Sequence, residues 1–124
     1  MDATDNSAAA SIVILPSAPA IYFAFDSYVI DGASATTLQA YAAWLKADGN
    51  RTMNIEGHCD QRGSREYNLA LGQQRAEAVK SFLMAEGVAS NSISTISYGE
   101  EKPACVGTGE ACWAQNRRAA LSAH

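Results

Sequence analysis

Residues 53–87 read MNIEGHCDQRGSREYNLALGQQRAEAVKSFLMAEG, a short alternating stretch that passes through a polar loop into a long helical repeat. Met53, Ile55 and Gly57 alternate with Asn54, Glu56 and His58, the pattern of a half-buried strand. Gly63-Ser64 opens a helix on which Leu69, Ala76, Val79 and Leu83 form one apolar stripe, and Gly87 supplies its C-terminal stop. A strand, a loop and a helix therefore follow one another here, and the flanking sequence extends the pattern. Upstream, Ile21 to Phe25 is an aromatic and β-branched strand ended by Asp26 and Ser27. Asp31-Gly32 then reads as a turn and Ser34 as the N-cap of a helix whose stripe is Leu38, Tyr41, Ala42 and Leu45, ended by Asp48-Gly49-Asn50. Downstream, Ile93 to Tyr98 reads as a strand, Gly99 to Gly109 as a loop, Ala111 to Asn116 as a helical turn, and Arg118 to Ala123 as a last strand.

Helices of this length covering one face of a small mixed sheet define an α/β (α+β) two-layer sandwich. One domain over residues 20–124 is expected, preceded by a tail over 1–19 whose ordered part starts near Ile12. The chain has 124 residues, of which 48% are hydrophobic and 18% charged, which suits a packed core and excludes a coiled coil or a mostly unfolded chain. Nine basic residues against thirteen acidic ones give a net charge of −4, which argues against a nucleic-acid partner. The apolar run from Ile12 to Pro16 falls far short of the roughly 20 residues that span a bilayer, so no membrane helix is expected. Residues 1–6 lack the basic start and apolar middle of an export signal. That is expected either of a cytosolic chain or of an exported one whose leader is not in the sequence.

Cys105 and Cys112 enclose a Gly-containing stretch able to fold back on itself. In an oxidising compartment they would close a loop of about eight residues, worth roughly 2.5 kcal/mol in the chain-entropy model. In a reducing one they would stay as thiols, and the residues alone leave both states open. Zinc is the weaker reading, with no CxxC or HxxxH nearby. Cys59 is unpaired in either case.

Polar groups at residues 57–64, between a strand end and a helix start, sit at the rim of the sheet, where binding residues concentrate. Asn68, Leu71 and Arg75 share a helix face that points back over Asp60, offset from the apolar stripe. A carboxylate and a guanidinium facing one pocket suit a zwitterion, whose carboxylate takes the Arg fork and whose ammonium donates to Asp. The plainer alternative has Asp60 capping the helix or pairing internally with Arg75. Arg62, Arg65, Glu66, Glu77 and Lys80 read as a solvated helix face, and Trp44 and Trp113 as packing residues. His58, Cys59 and Asp60 are neighbours on a strand and point to opposite faces, so they do not converge as a nucleophile and base. No phosphate loop and no HExxH motif occurs. His58 is expected to be satisfied by a loop hydrogen bond, and no enzymatic activity and no cofactor are expected.

GHCDQRG at 57–63, EYNLALG at 66–72 and Arg75-Ala76 together resemble the peptidoglycan-binding signature of OmpA-like C-terminal domains. Within that family they look most like the peptidoglycan-associated lipoproteins. YFAFD at 22–26, SYGEEKP at 97–103 and WAQNRR at 113–118 match in the same order, so the resemblance covers about residues 20–122. It implies a βαβαβ sandwich that holds the diaminopimelate of the peptidoglycan stem peptide without cleaving it. Arg75 would take the carboxylate and Asp60 the ammonium, with supporting contacts from Phe25, Asp26 and Leu71 and further neighbours in Asn68 and Arg117. It also implies a TolB-like periplasmic partner, the Tol-Pal system, and a place at the periplasmic face of the outer membrane. The outer membrane would be reached only through an N-terminal lipid anchor that this sequence does not carry. On this reading export favours an oxidised Cys105–Cys112 pair, and Arg75→Ala is expected to abolish binding while leaving the fold intact. Cys59 stands where the family usually has a small hydroxyl residue or alanine, and is a candidate oxidation site. A related expectation is an OmpA-like domain of another envelope assembly, a flagellar stator or secretion apparatus, with the same pocket.

Overall fold

Period-two alternation in the strands and the 3.6-residue stripe of the helices put most of the apolar side chains into one layer. In the computed structural model, which describes residues 13–124, the elements are β1 (Ala20–Tyr22), α1 (Gly32–Lys46), β2 (Met53–His58), α2 (Arg65–Ala85), a 3-10 turn (Ser90–Ser92), β3 (Ile93–Gly99), α3 (Glu110–Asn116) and β4 (Arg118–Ala123). The four strands lie in the order β1-β4-β2-β3. β3 runs parallel to β2, with Met53 opposite Ile93, and β4 runs antiparallel to both β2 and β1, with Ile55 opposite Leu121 and Ile21 opposite Ala119. The sheet is therefore mixed, and its buried face carries Ile21, Met53, Ile55, Ile93, Ala119 and Leu121. Leu38, Tyr41 and Leu45 of α1 and Ala76, Val79 and Leu83 of α2 close over that face, giving the two-layer sandwich. Each large aliphatic side chain buried this way contributes about 1.5–3 kcal/mol. Residues 1–12 of the expected tail lie outside the described residues; further along, Tyr41 Oη donates to the carbonyl of Ala18, and Leu121 N–H donates to that of Pro19 at 2.8 Å.

Four local expectations are corrected. The first strand is three residues long, not five, because the carbonyls of Phe23 and Ala24 accept hydrogen bonds from Arg117 and Arg75. The N-cap of α1 is Asp31, not Ser34: the Asp31 carboxylate accepts the Ser34 N–H at 2.8 Å, and Ser34 lies buried in the first turn. Leu69 is off the buried stripe of α2, at 38% exposure. The buried residues are Asn68, Leu71, Gly72, Arg75, Ala76, Val79 and Leu83, so the polar residues that seemed offset are the N-terminal half of the same face. The last helical turn is a two-turn helix, α3. At the other end of α2, Gly87 adopts φ +102°, the left-handed stop that its position suggests.

Gly57 fixes how closely α2 approaches the sheet. A Cβ on Gly57 would fall 1.7 Å from the Gly72 carbonyl oxygen, so strand and helix backbones touch directly at this crossing. That contact brings the first half of α2 over the end of β2, where the sheet gives way to Cys59 and Asp60.

His58 departs from the alternation. It points to the face away from the helices and is nevertheless buried, with Tyr98 of β3 at 5.6 Å between ring centroids. Its Nε2 lies 3.2 Å from Glu56 on its own strand, so its partner is not the expected loop, and Nδ1 has no partner. Burial, and then the nearby charge of Arg118 on β4, push the imidazole below its usual 6.5; Glu56 opposes this and Lys102 adds to it. The fold thus holds a neutral imidazole while the unfolded chain titrates near 6.5. Below that pH the unfolded chain binds more protons, so stability falls as pH drops through 6.5 toward the folded-state value. The urea midpoint should fall between pH 7 and pH 5, and His58→Gln should remove most of that fall. An unchanged pH slope in the variant would contradict the assignment.

Candidate functional site

β2 ends at His58, and the Cys59 N–H donates to the Gly99 carbonyl at 2.8 Å, which carries the chain into a polar turn before Ser64 caps α2. Asp60 lies in that turn, 4% exposed. Its Oδ1 accepts the backbone N–H and Nε–H of Arg62, both at 3.0 Å, and Oδ2 accepts a terminal Arg62 nitrogen at 2.7 Å. Burial alone would raise the carboxyl, but these bonds and the charges of Arg62 and Arg117 outweigh it and hold Asp60 below the ordinary carboxylate value. It is an anion at neutral pH.

Arg75 faces the same space from α2 and is 1% exposed. It does not pair with Asp60. Instead its Nε–H donates to Ser27 O at 2.8 Å, and its two terminal nitrogens donate to His58 O at 2.8 Å and Ala24 O at 3.2 Å. A guanidinium carries five N–H donors, so two remain beyond those three carbonyls. The side chain also ties the loop after β1 to the end of β2, a structural duty that the spacing of residues did not disclose.

Between Asp60 and Arg75 lies a cavity of about 190 Å³, small beside the roughly 300–1,000 Å³ of drug-sized pockets and suited to the end of one side chain. It is lined by six of the residues singled out from the sequence: Phe25, Asp26, Asp60, Asn68, Leu71 and Arg75. Leu71 is buried there, and Phe25 stands at the rim, 58% exposed. Asp26 turns the chain with φ 53°, rare for a residue other than glycine, and its carboxylate accepts the Tyr67 hydroxyl. The two N–H groups of the buried Asn68 amide donate to Arg62 O at 3.0 Å and Glu100 Oε1 at 2.7 Å, with Asp60 O at 3.3 Å, which staples the turn to the loop after β3.

Arg117 is not in the cavity lining. It is buried behind Asp60, 3.8 Å from Oδ2, bonded to Phe23 O at 2.8 Å and forked onto Glu110. Three more lining side chains, Cys59, Arg62 and Tyr67, lie in the quoted signature but are not among the expected ligand contacts. Arg62 leaves the solvated helix face expected of it and stacks between the rings of Phe25 and Trp113, 4.0 Å from each centroid. Trp113 lies outside the cavity lining and reaches the site through Arg62. Cys59 is buried, its Sγ–H donating to Asn68 O at 3.2 Å, and burial pushes its thiol up to about 11. A thiol so poorly ionised is a poor nucleophile, which argues against the oxidation site expected there.

Beside the site, Cys105 and Cys112 are joined. Asn116 reinforces the tie, accepting the Ala104 and Cys105 N–H groups at 2.8 and 2.9 Å and donating to Cys105 O at 2.8 Å. The loop and α3 thus form one stapled unit that presents Trp113. Among the described residues no group of three or more His, Cys, Asp or Glu side chains could hold a metal ion, and no helix is long and apolar enough to cross a membrane.

The domain is thus a small mixed-sheet sandwich with an Asp–Arg cavity where β2 meets α2. Residues 22–117 match the OmpA family, and the chain belongs to it. Among named relatives, the peptidoglycan-associated lipoprotein of Pasteurella multocida is 51% identical over 102 residues, covering 82% of this chain and 68% of that protein. The protein of the same name in Brucella melitensis is 50% identical over 99 residues, covering 80% and 59%. The crystal structure of the peptidoglycan-associated lipoprotein from Burkholderia pseudomallei superposes with a TM-score of 0.85 at 45% identity, covering 87% of this chain and 92% of that one. The C-terminal domain of Helicobacter pylori MotB, at 20% identity and a TM-score of 0.79, shares the fold.

Proposed function

We propose that this domain binds peptidoglycan noncovalently by taking the diaminopimelate side chain of the stem peptide into the Asp60–Arg75 cavity. The observation that carries the reading is a side-chain-sized cavity with an anion on one wall and a buried guanidinium on the other, the latter with two N–H donors to spare. The end of diaminopimelate is a zwitterion: its carboxylate accepts from Arg75 and its ammonium donates to the unfilled acceptor position of Asp60 Oδ2. Leu71 packs on its methylenes, and the backbone around Phe25 and Asp26 borders the entrance. Nothing is cleaved; the domain is a holder.

The relatives' name, peptidoglycan-associated lipoprotein, supports peptidoglycan as the ligand and a lipid anchor, which we place at the periplasmic face of the outer membrane. In that setting the domain links the membrane to the wall within the Tol-Pal system, with a TolB-like periplasmic protein as its partner. Asp60→Asn tests the ligand reading: the amide is isosteric and its oxygen still accepts the Arg62 backbone N–H, and urea unfolding of the variant checks that losing the Arg62 bond at Oδ2 leaves the fold in place. The variant should remain in the supernatant when diaminopimelate-type peptidoglycan is pelleted, while the parent protein sediments with it. Equal sedimentation of the two would overturn the proposal.

A further inference from the structure

Arg62 sits where an incoming cation must go. Its guanidinium lies 4.0 Å from the ring centroids of both Phe25 and Trp113, and its edge donates one N–H to Asp60 Oδ1 and one to Oδ2, while the Arg62 backbone N–H takes the second position on Oδ1. The Arg62 side chain keeps 30% exposure while that of Asp60 keeps 5%, so the arginine covers the carboxylate from the solvent side. The jaws are fixed independently of Arg62. Trp113 rides on α3, stapled by the Cys105–Cys112 bond and by Asn116, and Phe25 belongs to the loop whose Ala24 and Ser27 carbonyls Arg75 holds.

A ligand ammonium that reaches Asp60 must share the carboxylate with Arg62 or displace it. A ligand bringing only an ammonium leaves the guanidinium short of its anion, beside two aromatic rings. A ligand bringing an ammonium and a carboxylate together restores an anion to the same small cavity, within which both Arg62 and Arg75 lie. Exchange of ion-pair partners is close to balanced for the zwitterion and uphill for the lone amine. We infer that Arg62 is a specificity-determining residue that makes the cavity accept a zwitterion and reject a lone ammonium, a repulsive element set beside the attractive ones. The inference rests on the ligand reading proposed above.

The test is calorimetric titration of the parent protein and of Arg62→Gln with two stem peptides that differ only at the third residue. One carries diaminopimelate and the other lysine, which has the ammonium without the carboxylate. The preference for the diaminopimelate peptide should narrow by about tenfold in Arg62→Gln, the size expected for one partly desolvated ion pair, chiefly because the lysine peptide gains affinity. A merely structural role would shift both affinities together and leave their ratio unchanged, and that result would overturn the inference alone. Binding of neither peptide by the parent protein would overturn the ligand reading and the inference with it. Trp113→Leu removes one jaw and leaves Arg62 in place, so it should narrow the ratio in the same direction even if Arg62→Gln folds poorly; an unaltered ratio there would again count against the inference.

Discussion

Replacing Arg75 with Ala should lower the stability of the domain by roughly 3–5 kcal/mol as well as remove ligand binding. Three carbonyls, the buried one of His58 and the part-buried ones of Ala24 and Ser27, lose their donor together. Each unsatisfied group costs about 1–3 kcal/mol, and water entering the adjoining cavity recovers part of the sum. Against a typical domain stability of about 5–15 kcal/mol the loss is large. The sequence reading expects Arg75→Ala to spare the fold; the ties of the same guanidinium between the β1–α1 loop and the end of β2 add a stability cost to that expectation, beside the two N–H groups proposed for the ligand. Arg75→Lys keeps the charge without the fork and should fall between the two in urea midpoint. A midpoint for Arg75→Ala equal to that of the parent protein would contradict this account of the site.

Gly57→Ala should be at least as damaging. The new methyl would meet the Gly72 carbonyl oxygen at 1.7 Å and its carbon at 2.5 Å, and both obstacles are backbone, so neither can rotate away. Helix and strand must separate, at more than about 3 kcal/mol, above the usual range for overpacking, because whole elements move and not one side chain. Gly72→Ala meets the Ser97 hydroxyl at 2.3 Å, a group that can turn aside at the loss of its 2.8 Å bond to Leu69 O, and should be milder. Thermal unfolding of the two variants checks the order; a reversed order would mean that the crossing is not fixed where Gly57 meets Gly72. Gly57→Ala also lifts Asn68, Leu71 and Arg75 from Asp60, so any folded remainder should bind poorly.

These two positions show what a linear reading reaches and what it misses. Strand β2, helix α2 and the positions of Asp60 and Arg75 on them were legible because local periodicity and one polar turn determine them. The phase of α2 was less so. Asn68 and Arg75 look like surface residues by polarity, yet they continue the buried stripe because their amide and guanidinium groups are satisfied by backbone carbonyls brought in from elsewhere. The first strand is cut short for the same reason: its last carbonyls go to arginines from α2 and from the segment before β4. Arg62 stands in the signature, but its packing was not legible. Its surroundings are Phe25 and Trp113, far off on either side in the chain, and no local pattern says that they converge on it. Contacts of that range are set by the sheet order β1-β4-β2-β3, which places the end of β1 and the start of β4 beside the end of β2.

The central claim is that the cavity between Asp60 and Arg75 receives diaminopimelate. Calorimetric titration of the parent protein with a diaminopimelate-containing stem peptide, beside its lysine analogue, tests it most directly. Saturable one-to-one binding of the first and much weaker binding of the second is the predicted result, and equal binding of both, or of neither, would contradict it.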